Sequence, residues 1–287
     1  MHSYTQAVNR FSDMEYTKFI AKRTGLRVPS DFKSRSTPRL ELAALKAISD
    51  GDVPASVDWR TKGQGSRPLW LVLGLRGEGA HALKTGKLVS LSEQNLVDCS
   101  CKYGNIGCDG GLMDNAYKYV IFNHGLDSEQ SYPYSGREGD SRFNKSSIGT
   151  TETSFINVQH EDELALKKAV ALHGPVSVGF AVTRRLFSYE TGVFHDIDCE
   201  DTKMNHALLV VGYGTDPNGG DYWIVKNSWD DKWGDHGYFK SARNRNVSHC
   251  LVGRVSYCLI ICCVILGTQI SINKELTRRG RMNSIEH

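Results

Sequence analysis

The first 98 residues of this chain contain no cysteine, although the chain has 8 cysteines among its 287 residues. Thiol chemistry and disulfides are therefore excluded from the first third of the chain. Elsewhere, this cysteine content favours an oxidising compartment, because cytosolic enzymes seldom carry a disulfide framework.

Long apolar runs are also lacking. The longest, Cys258–Leu266, is far shorter than the roughly 20 residues of a transmembrane helix, so we interpret it as an edge strand or a sticky tail. Residues 1–20 are polar and contain no apolar signal core. We therefore expect no membrane span and no signal peptide in this chain; if the protein is secretory, its N-terminus is truncated here.

The chain also lacks a large excess of positive or negative charge. The net charge is only +3, and Lys and Arg form no long block, which argues against a nucleic-acid partner. No set of Cys and His residues has convincing zinc spacing. The glycine-rich stretch Gly74–Gly79 is not followed by Lys-Ser or Lys-Thr, so it is no phosphate loop. We expect neither a metal nor another cofactor.

The pattern of what is present predicts an α+β chain. With 40% hydrophobic and 23% charged residues, the chain can bury a core in one or two domains. Helices are predicted after Ser92, a credible N-cap, around Ala116–Val120 and over Asp162–Leu172. Short β-branched or aromatic runs then predict strands at the following positions: Val176–Val178, Ala207–Gly212 and Tyr222–Lys226.

Several separate motifs, in the same order, resemble papain-family cysteine proteases and especially their cathepsin L-like members. Met204-Asn205-His206-Ala207 and Lys226-Asn227-Ser228-Trp229 resemble the His and Asn segments of that family. Asn9-Arg10-Phe11-Ser12-Asp13 resembles a propeptide motif, and Val53–Arg60 resembles a mature N-terminus. The resemblance covers about residues 5–60 and 78–257.

The resemblance implies a papain-like fold of two lobes, one helical and one an antiparallel β-barrel-like lobe, with the active-site cleft between them. Residues 1–52 would be a remnant of the propeptide and residues 53–257 the peptidase domain. Within that domain, the left lobe would span about 60–165 and the right lobe about 166–257, with the chain crossing over at the ends. Residues 258–287 would be a foreign, disordered tail.

The resemblance also assigns a site. His206 would take the proton of a thiol nucleophile, and Asn227 would orient His206. Gln64 is the only candidate for the oxyanion donor. Gly110 and Gly111 would let a peptide backbone lie against the enzyme. Four further residues would line an apolar pocket, and Trp229 would cover the His206–Asn227 pair. The implied substrate-binding residues are Gly110, Gly111, Met113, Gly179, Asn205, Ala207 and Trp229.

The nucleophile itself is missing. Where the family has Cys-Gly-Ser-Cys-Trp, this chain reads Gly65-Ser66-Arg67-Pro68-Leu69-Trp70-Leu71-Val72-Leu73, with Val72 near the place of the thiol. Suitable codons for Arg67–Arg76, read one nucleotide later, spell Gly-x-Cys-Gly-Ser-Cys-Trp-Ala-Phe. We infer a frame-shifted copy of a once normal segment, from a decayed gene or an error in the sequence. The replacement contains Pro68 and several glycines, which predicts an irregular, poorly packed region over Gly63–Ala82.

The resemblance pairs Cys199 with Cys250 in a disulfide. It pairs Cys108 with a cysteine of the lost motif, and Cys99 with a cysteine where Arg142 now stands. Cys99, Cys101 and Cys108 would therefore pair irregularly or stay free. Because a lost native disulfide costs about 2–5 kcal/mol, this damage would take a large part of the usual stability.

Two hypotheses follow. The chain is either a cathepsin L-like endopeptidase that cannot form the acyl-enzyme, or a pseudoprotease that binds peptides or cystatin-type inhibitors without cleaving them. The family implies a monomer with protein or peptide substrates, in lysosomes or outside the cell. Asn144-Lys145-Ser146 and Asn246-Val247-Ser248 match the N-glycosylation pattern, which mildly supports a secretory route.

Overall fold

Helices dominate the first part of the chain and strands the second. The computed structural model describes residues 3–29, 47–62, 89–158, 162–196, 199 and 204–244, and the backbone of 258–260. The α-helices within these ranges are α1 Tyr16–Arg23, α2 Glu93–Cys99, α3 Met113–Phe122, α4 Glu163–His173 and α5 Arg184–Phe187. No helix in the described part of the chain is long and apolar enough to cross a membrane.

The strands form one large sheet and one small one. They are β1 Tyr4–Gln6, β2 Val57–Asp58, β3 Leu126–Asp127, β4 Ile148–Thr150, β5 Ile156–Val158, β6 Val176–Phe180, β7 Tyr189–Phe194, β8 His206–Asp216, β9 Gly220–Lys226, β10 Tyr238–Ala242 and β11 Cys258–Ile260. The large sheet has the order β1-β7-β10-β9-β8-β6-β11-β5, with β2 on β8, and only β7 and β10 pair in parallel. The smaller sheet pairs β3 with β4. This α+β arrangement confirms the predicted fold class.

Local sequence signals account for the predicted helices. The hydroxyl of Ser92 accepts a hydrogen bond from the backbone N–H of Asn95 at 2.9 Å, as an N-cap does. Asp162 caps α4 in the same way, accepting from Ala165 at 2.8 Å. The apolar residues of α4 that recur at helical spacing, such as Leu166 and Val170, are buried against the large sheet.

Two separate apolar clusters form the cores of two lobes. The helical lobe buries Leu96 on α2 with Tyr117 and Val120 on α3. The sheet lobe buries Val178, Val210 and other residues on β6, β8, β9 and β10 together with the apolar face of α4. The two cores are separate, and a groove that can hold a site lies between the lobes.

The N-terminal residues join both cores. The motif around Asn9 is a turn in which the carboxamide oxygen of Asn9 accepts from the backbone N–H of Phe11 at 2.9 Å. This turn buries Phe11, whose ring lies 5.3 Å from that of Phe19 on α1. Both rings belong to the sheet-lobe core, while Leu26, after α1, belongs to the helical-lobe core. Residues 3–29 therefore bridge the groove.

The assignment of a foreign tail from residue 258 was wrong for its first residues. Cys258–Ile260 form β11, which pairs antiparallel with β6 on one side and β5 on the other. A strand paired on both sides is interior, so the edge-strand interpretation was also wrong. Residues 261–287 lie outside the described residues.

The position opposite Cys99 is Ser141, and the assignment to Arg142 was wrong by one residue. The Cys99 sulfur contacts the Ser141 hydroxyl, whereas the Arg142 guanidinium lies over the Tyr132 ring, 4.4 Å from its centroid. Cys99, Cys101 and Cys108 are free thiols. Cys199 is disulfide-bonded, and Cys250, its expected partner, lies outside the described residues, so that pairing stays a prediction.

We predict that Ser141→Cys forms a disulfide with Cys99, because the two side chains already touch. The new bridge should raise the free energy of unfolding by about 2–4 kcal/mol by constraining the unfolded chain. Urea unfolding with and without reductant measures the gain, and peptide mapping identifies the bridge. The matched control is Arg142→Cys, which should not cross-link to Cys99. Bridging in the control but not in Ser141→Cys would contradict this register.

Candidate active site

His206 and Asn227 meet at the start of β8 and the end of β9. The Nε2 atom of His206 lies 3.0 Å from the Oδ1 atom of Asn227, and both residues are buried. They come together because β8 and β9 are antiparallel neighbours, with Leu209 opposite Lys226. Sequence analysis placed His206 one residue before a strand; it is the first residue of β8.

Backbone hydrogen bonds decide which nitrogen of His206 carries a proton. The Oδ1 atom of Asn227 also accepts from the backbone N–H of Ser228 at 2.8 Å, which holds the carboxamide oxygen towards His206. Because this oxygen can only accept, Nε2 must donate. The Nδ1 atom is then the basic nitrogen that can receive a proton from a nucleophile. Sequence analysis did not identify this contribution of Ser228, since a backbone N–H leaves no sequence signal.

Trp229 covers the pair. Its ring stacks on His206 with 5.3 Å between centroids and 19° between planes, and the side chain is fully buried. Its Nε1 atom donates to the carbonyl oxygen of Arg23 at 3.0 Å, and Phe19 packs edge-on against its ring at 4.8 Å. The N-terminal residues therefore hold Trp229 against the pair and keep water from it.

Burial lowers the pKa of His206 from its ordinary value of 6.5 to about 4, although the hydrogen bond that His206 donates to Asn227 acts in the opposite direction. Desolvation disfavours the charged imidazolium, and within the described part of the chain no carboxylate contributes to the shift. In this closed state His206 is neutral at neutral pH. It can therefore accept a proton.

Residues Gly25–Arg27 lie in the groove like a bound peptide. The backbone N–H of Gly111 donates to the carbonyl of Gly25 at 2.9 Å, and that of Arg27 donates to the carbonyl of Gly111 at 3.1 Å. The backbone N–H of Leu26 donates to the carbonyl of Asn205 on the opposite wall at 3.1 Å. Two walls thus bind one extended strand through main-chain hydrogen bonds.

Gly110 is required for this close approach. Its φ of +100° favours glycine, and a Cβ atom there would overlap the carbonyl oxygen of Gly25. Asn105 supports the same wall, because its Oδ1 atom accepts from the backbone N–H of Leu112 at 3.0 Å. Asn105 was not predicted from the sequence, since its role depends on a fold-back of seven residues.

Leu26 fills the apolar pocket that the substrate-binding assignment outlined. It is buried with Met113, Met204 and Ala207 packed in the same cluster. A Cβ atom on Gly179 would lie 3.3 Å from the Leu26 side chain and 2.7 Å from the Met204 sulfur, so glycine keeps the pocket open. Met204 was quoted only as part of a motif, yet it forms part of this pocket.

The segment expected to hold the nucleophile and the oxyanion donor lies outside the described residues. It comprises residues 63–88, with Gln64 and Val72. Cys108 is the thiol that lines the groove, in a cavity of about 270 Å³ next to His206. Burial, together with the carboxylates of Glu138, Asp98 and Asp109, raises the pKa of this thiol. Since the thiolate is the reactive form, Cys108 is a poor substitute nucleophile. The described residues contain no cluster of three metal-ligating side chains.

Known proteins share this sequence and arrangement. A family model for papain family cysteine proteases matches residues 76–260. Cathepsin L of Sarcophaga peregrina is 45% identical over 254 residues, covering 85% of this chain and 75% of its own. Cathepsin S of Rattus norvegicus is 45% identical over 271 residues, covering 90% and 78%.

Solved structures agree with these matches. The digestive procathepsin L2 proteinase from the larval midgut of Tenebrio molitor superposes with a TM-score of 0.79 at 36% identity, covering 91% of this chain and 84% of its own. The Amb a 11 cysteine protease, a ragweed pollen allergen in its proform, superposes with a TM-score of 0.81 at 30% identity, covering 94% and 77%.

We predict that His206 makes the folded chain sensitive to acid. Its pKa of about 4 lies below the unfolded value of 6.5, so the unfolded chain binds a proton that the folded chain does not. The contribution of the neutral His206 to the free energy of unfolding is fully present above pH 6.5. It is lost as the pH falls to about 4, which lowers that free energy by roughly 3 kcal/mol. Urea unfolding at pH values from 7 to 4 measures it.

In that titration, His206→Gln should lose stability less steeply between pH 6.5 and 4 than the parent chain. The control is His236→Asn, which changes an exposed histidine whose φ of 53° asparagine tolerates. It should follow the parent chain. Equal slopes for His206→Gln and the parent chain would mean that His206 is not held neutral by burial.

Proposed function

Because the chain belongs to the papain family of cysteine proteases, with cathepsins L and S among its relatives, we propose that it is a cathepsin L-like endopeptidase by descent that has no peptidase activity with this sequence. The observation that carries this proposal is a complete His206–Asn227 pair in a peptide-binding groove, in a chain whose first cysteine is Cys99. The base and its orienting group are present, and the group that they would activate is missing.

The residues that are present define the lost reaction. A thiol beside His206 would transfer its proton to Nδ1 while Asn227 holds the ring through Nε2. The thiolate would attack the carbonyl of an extended peptide held by Gly111 and Asn205, and His206 would then protonate the leaving amine. Without a thiol, the acyl-enzyme has no atom on which to form. Removing a nucleophile of this kind lowers turnover by roughly 10⁶-fold.

A frame shift explains the missing thiol. The shifted reading of residues 67–76 spells a complete nucleophile segment, and the family match begins at residue 76, beyond most of that stretch. His206, Asn227, Trp229 and the pocket residues carry no comparable damage. We attribute the loss to one local event in the gene or its reading rather than to gradual change of the whole site.

Residues 3–29 act as a prosegment in this proposal. They dock Phe11 and Phe19 on the sheet lobe, hold Trp229, and place Leu26 in the pocket. The chain would thus be a monomeric proform with an occupied groove, in a lysosomal or extracellular setting, from a family that acts on protein or peptide substrates.

We predict no hydrolysis of a Phe-Arg peptide substrate by this chain before or after incubation in acid. Replacing residues 67–76 by the segment that the shifted frame spells should restore hydrolysis, and a thiol-alkylating reagent should abolish it. The control is the same restored chain with Asn227→Ala, which should lose most of the activity. Alkylation-sensitive hydrolysis by the unaltered chain would disprove the proposal.

Peptide or inhibitor binding without cleavage is the second candidate function. It is favoured by the groove itself, which binds the backbone of residues 25–27 through three main-chain hydrogen bonds and needs no nucleophile to do so. A partner must displace this segment, so its own affinity has to exceed that of an intramolecular competitor.

We predict that Leu26→Asp strengthens binding of a cystatin-type inhibitor to this chain, because an aspartate is not stable in the apolar pocket and frees the groove. Calorimetry measures the affinity of the parent chain and of the variant. Val8→Asp is the matched control, since Val8 lies in the same N-terminal segment with 91% of its surface exposed. No heat and no thermal shift with either chain would exclude the binding function.

A further inference from the structure

Asn144-Lys145-Ser146 lies on the outer surface of the helical lobe, in a tight turn before β4. Asn144 precedes the 3-10 turn Lys145–Ser147, and all three residues of the tripeptide are exposed. The sequence has two tripeptides of this pattern, and the other, at Asn246, lies outside the described residues. A sequon on an exposed turn is the setting that a bulky, solvated modification requires.

The carboxamide of Asn144 is held with its oxygen inward. Its Oδ1 atom accepts from the backbone N–H of Ser146 at 3.0 Å and from the Ser146 hydroxyl at 2.8 Å. Among the described residues, its Nδ2 atom has no hydrogen-bond partner. The acceptor oxygen is therefore engaged by the serine of the sequon itself, while the nitrogen that would carry a substituent faces away from these bonds.

The backbone around Asn144 is anchored, so a substituent there need not disturb the fold. The backbone N–H of Asn144 donates to the carboxylate of Asp127 at 3.0 Å, and Ser147 accepts from the backbone N–H of Ser128 at 3.1 Å. None of the residues that line the groove belongs to this turn. A group on Asn144 would leave the groove and residues 3–29 untouched.

We propose that Asn144 is an N-glycosylation site. The donor class is a lipid-linked pyrophosphate oligosaccharide. The bond between Nδ2 and the anomeric carbon of the first sugar forms, the bond from that carbon to the phosphate oxygen breaks, Nδ2 loses one proton, and the lipid pyrophosphate leaves. The inference rests on the proposed secretory location of the chain and is independent of whether it has peptidase activity.

The test is expression of the full chain in animal cells behind a cleavable secretion signal, in an Asn246→Gln background so that one sequon remains. We expect one glycan: a shift in mobility that peptide-N-glycosidase removes, converting residue 144 to aspartate in the mass spectrum of its peptide. The glycan occupancy of Asn144 is measured in the medium and in the membrane-enclosed fraction of the cells. Chains that are retained in the cell are therefore also scored.

Three variants separate the sequon from the turn. Ser146→Ala destroys the sequon and should abolish the shift, whereas Ser147→Ala, one residue later, preserves the sequon and should retain it. Asn144→Asp keeps the oxygen that caps the turn but lacks the amide nitrogen, so it should remain folded and unshifted.

An unmodified Asn144 in chains recovered from the medium or the membrane-enclosed fraction would overturn the proposal, as would a shift that persists in Ser146→Ala. Peptidase assays of the same samples report on the function separately. An active chain with a glycan, or an inactive chain with an unmodified Asn144, would each reject one proposal and keep the other.

Discussion

The packing of Trp229 is the interaction on which the rest of this structure depends. One face of its ring stacks on His206, its edges meet Phe19 and Trp233, and its Nε1 atom binds the carbonyl of Arg23. A single side chain thus shields the His206–Asn227 pair, completes the core of the sheet lobe and fastens the N-terminal segment. Because the N-terminal segment contacts Trp229 through Phe19 and Arg23, the desolvation of His206 and the closure of the groove are coupled.

The groove holds an extended backbone through groups that do not include a nucleophile. Binding an extended backbone needs small residues and free main-chain groups, which Gly110, Gly111 and Asn205 supply from two different lobes. Catalysis by the papain mechanism needs one further atom, a thiol sulfur beside His206, which our proposal takes to be missing. Cys108 is a thiol that lines the groove, but burial and three nearby carboxylates raise the pKa of its sulfhydryl group, which disfavours the reactive thiolate. The main-chain binding of the groove and the chemistry expected of His206 and Asn227 therefore depend on different residues.

The cysteine framework was harder to predict than the site. Cys99 lacks a disulfide partner, as predicted, but the position opposite it is Ser141 and not the predicted Arg142. The stretch between Tyr132 and Asn144 has no regular structure, so no periodicity determines its register; contacts from Asp98 to the Tyr132 hydroxyl and to the backbone N–H of Gly139 do. Likewise, the apolar run at Cys258 gave no sign that strands lie on both of its sides, because periodicity cannot distinguish an interior strand from a buried tail.

The sequence by itself determined the local elements and the chemical identity of the pair. Ser92 and Asp162 cap their helices through atoms within three residues, and the motifs around His206 and Asn227 are recognisable without any coordinates. Only the tertiary structure decided what occupies the groove, which nitrogen of His206 is basic, and how far its pKa falls. Those properties arise from groups up to 206 residues apart, as between Arg23 and Trp229, and desolvation depends on everything that surrounds an atom. The residues adjacent in sequence do not show which groups surround an atom in the folded chain.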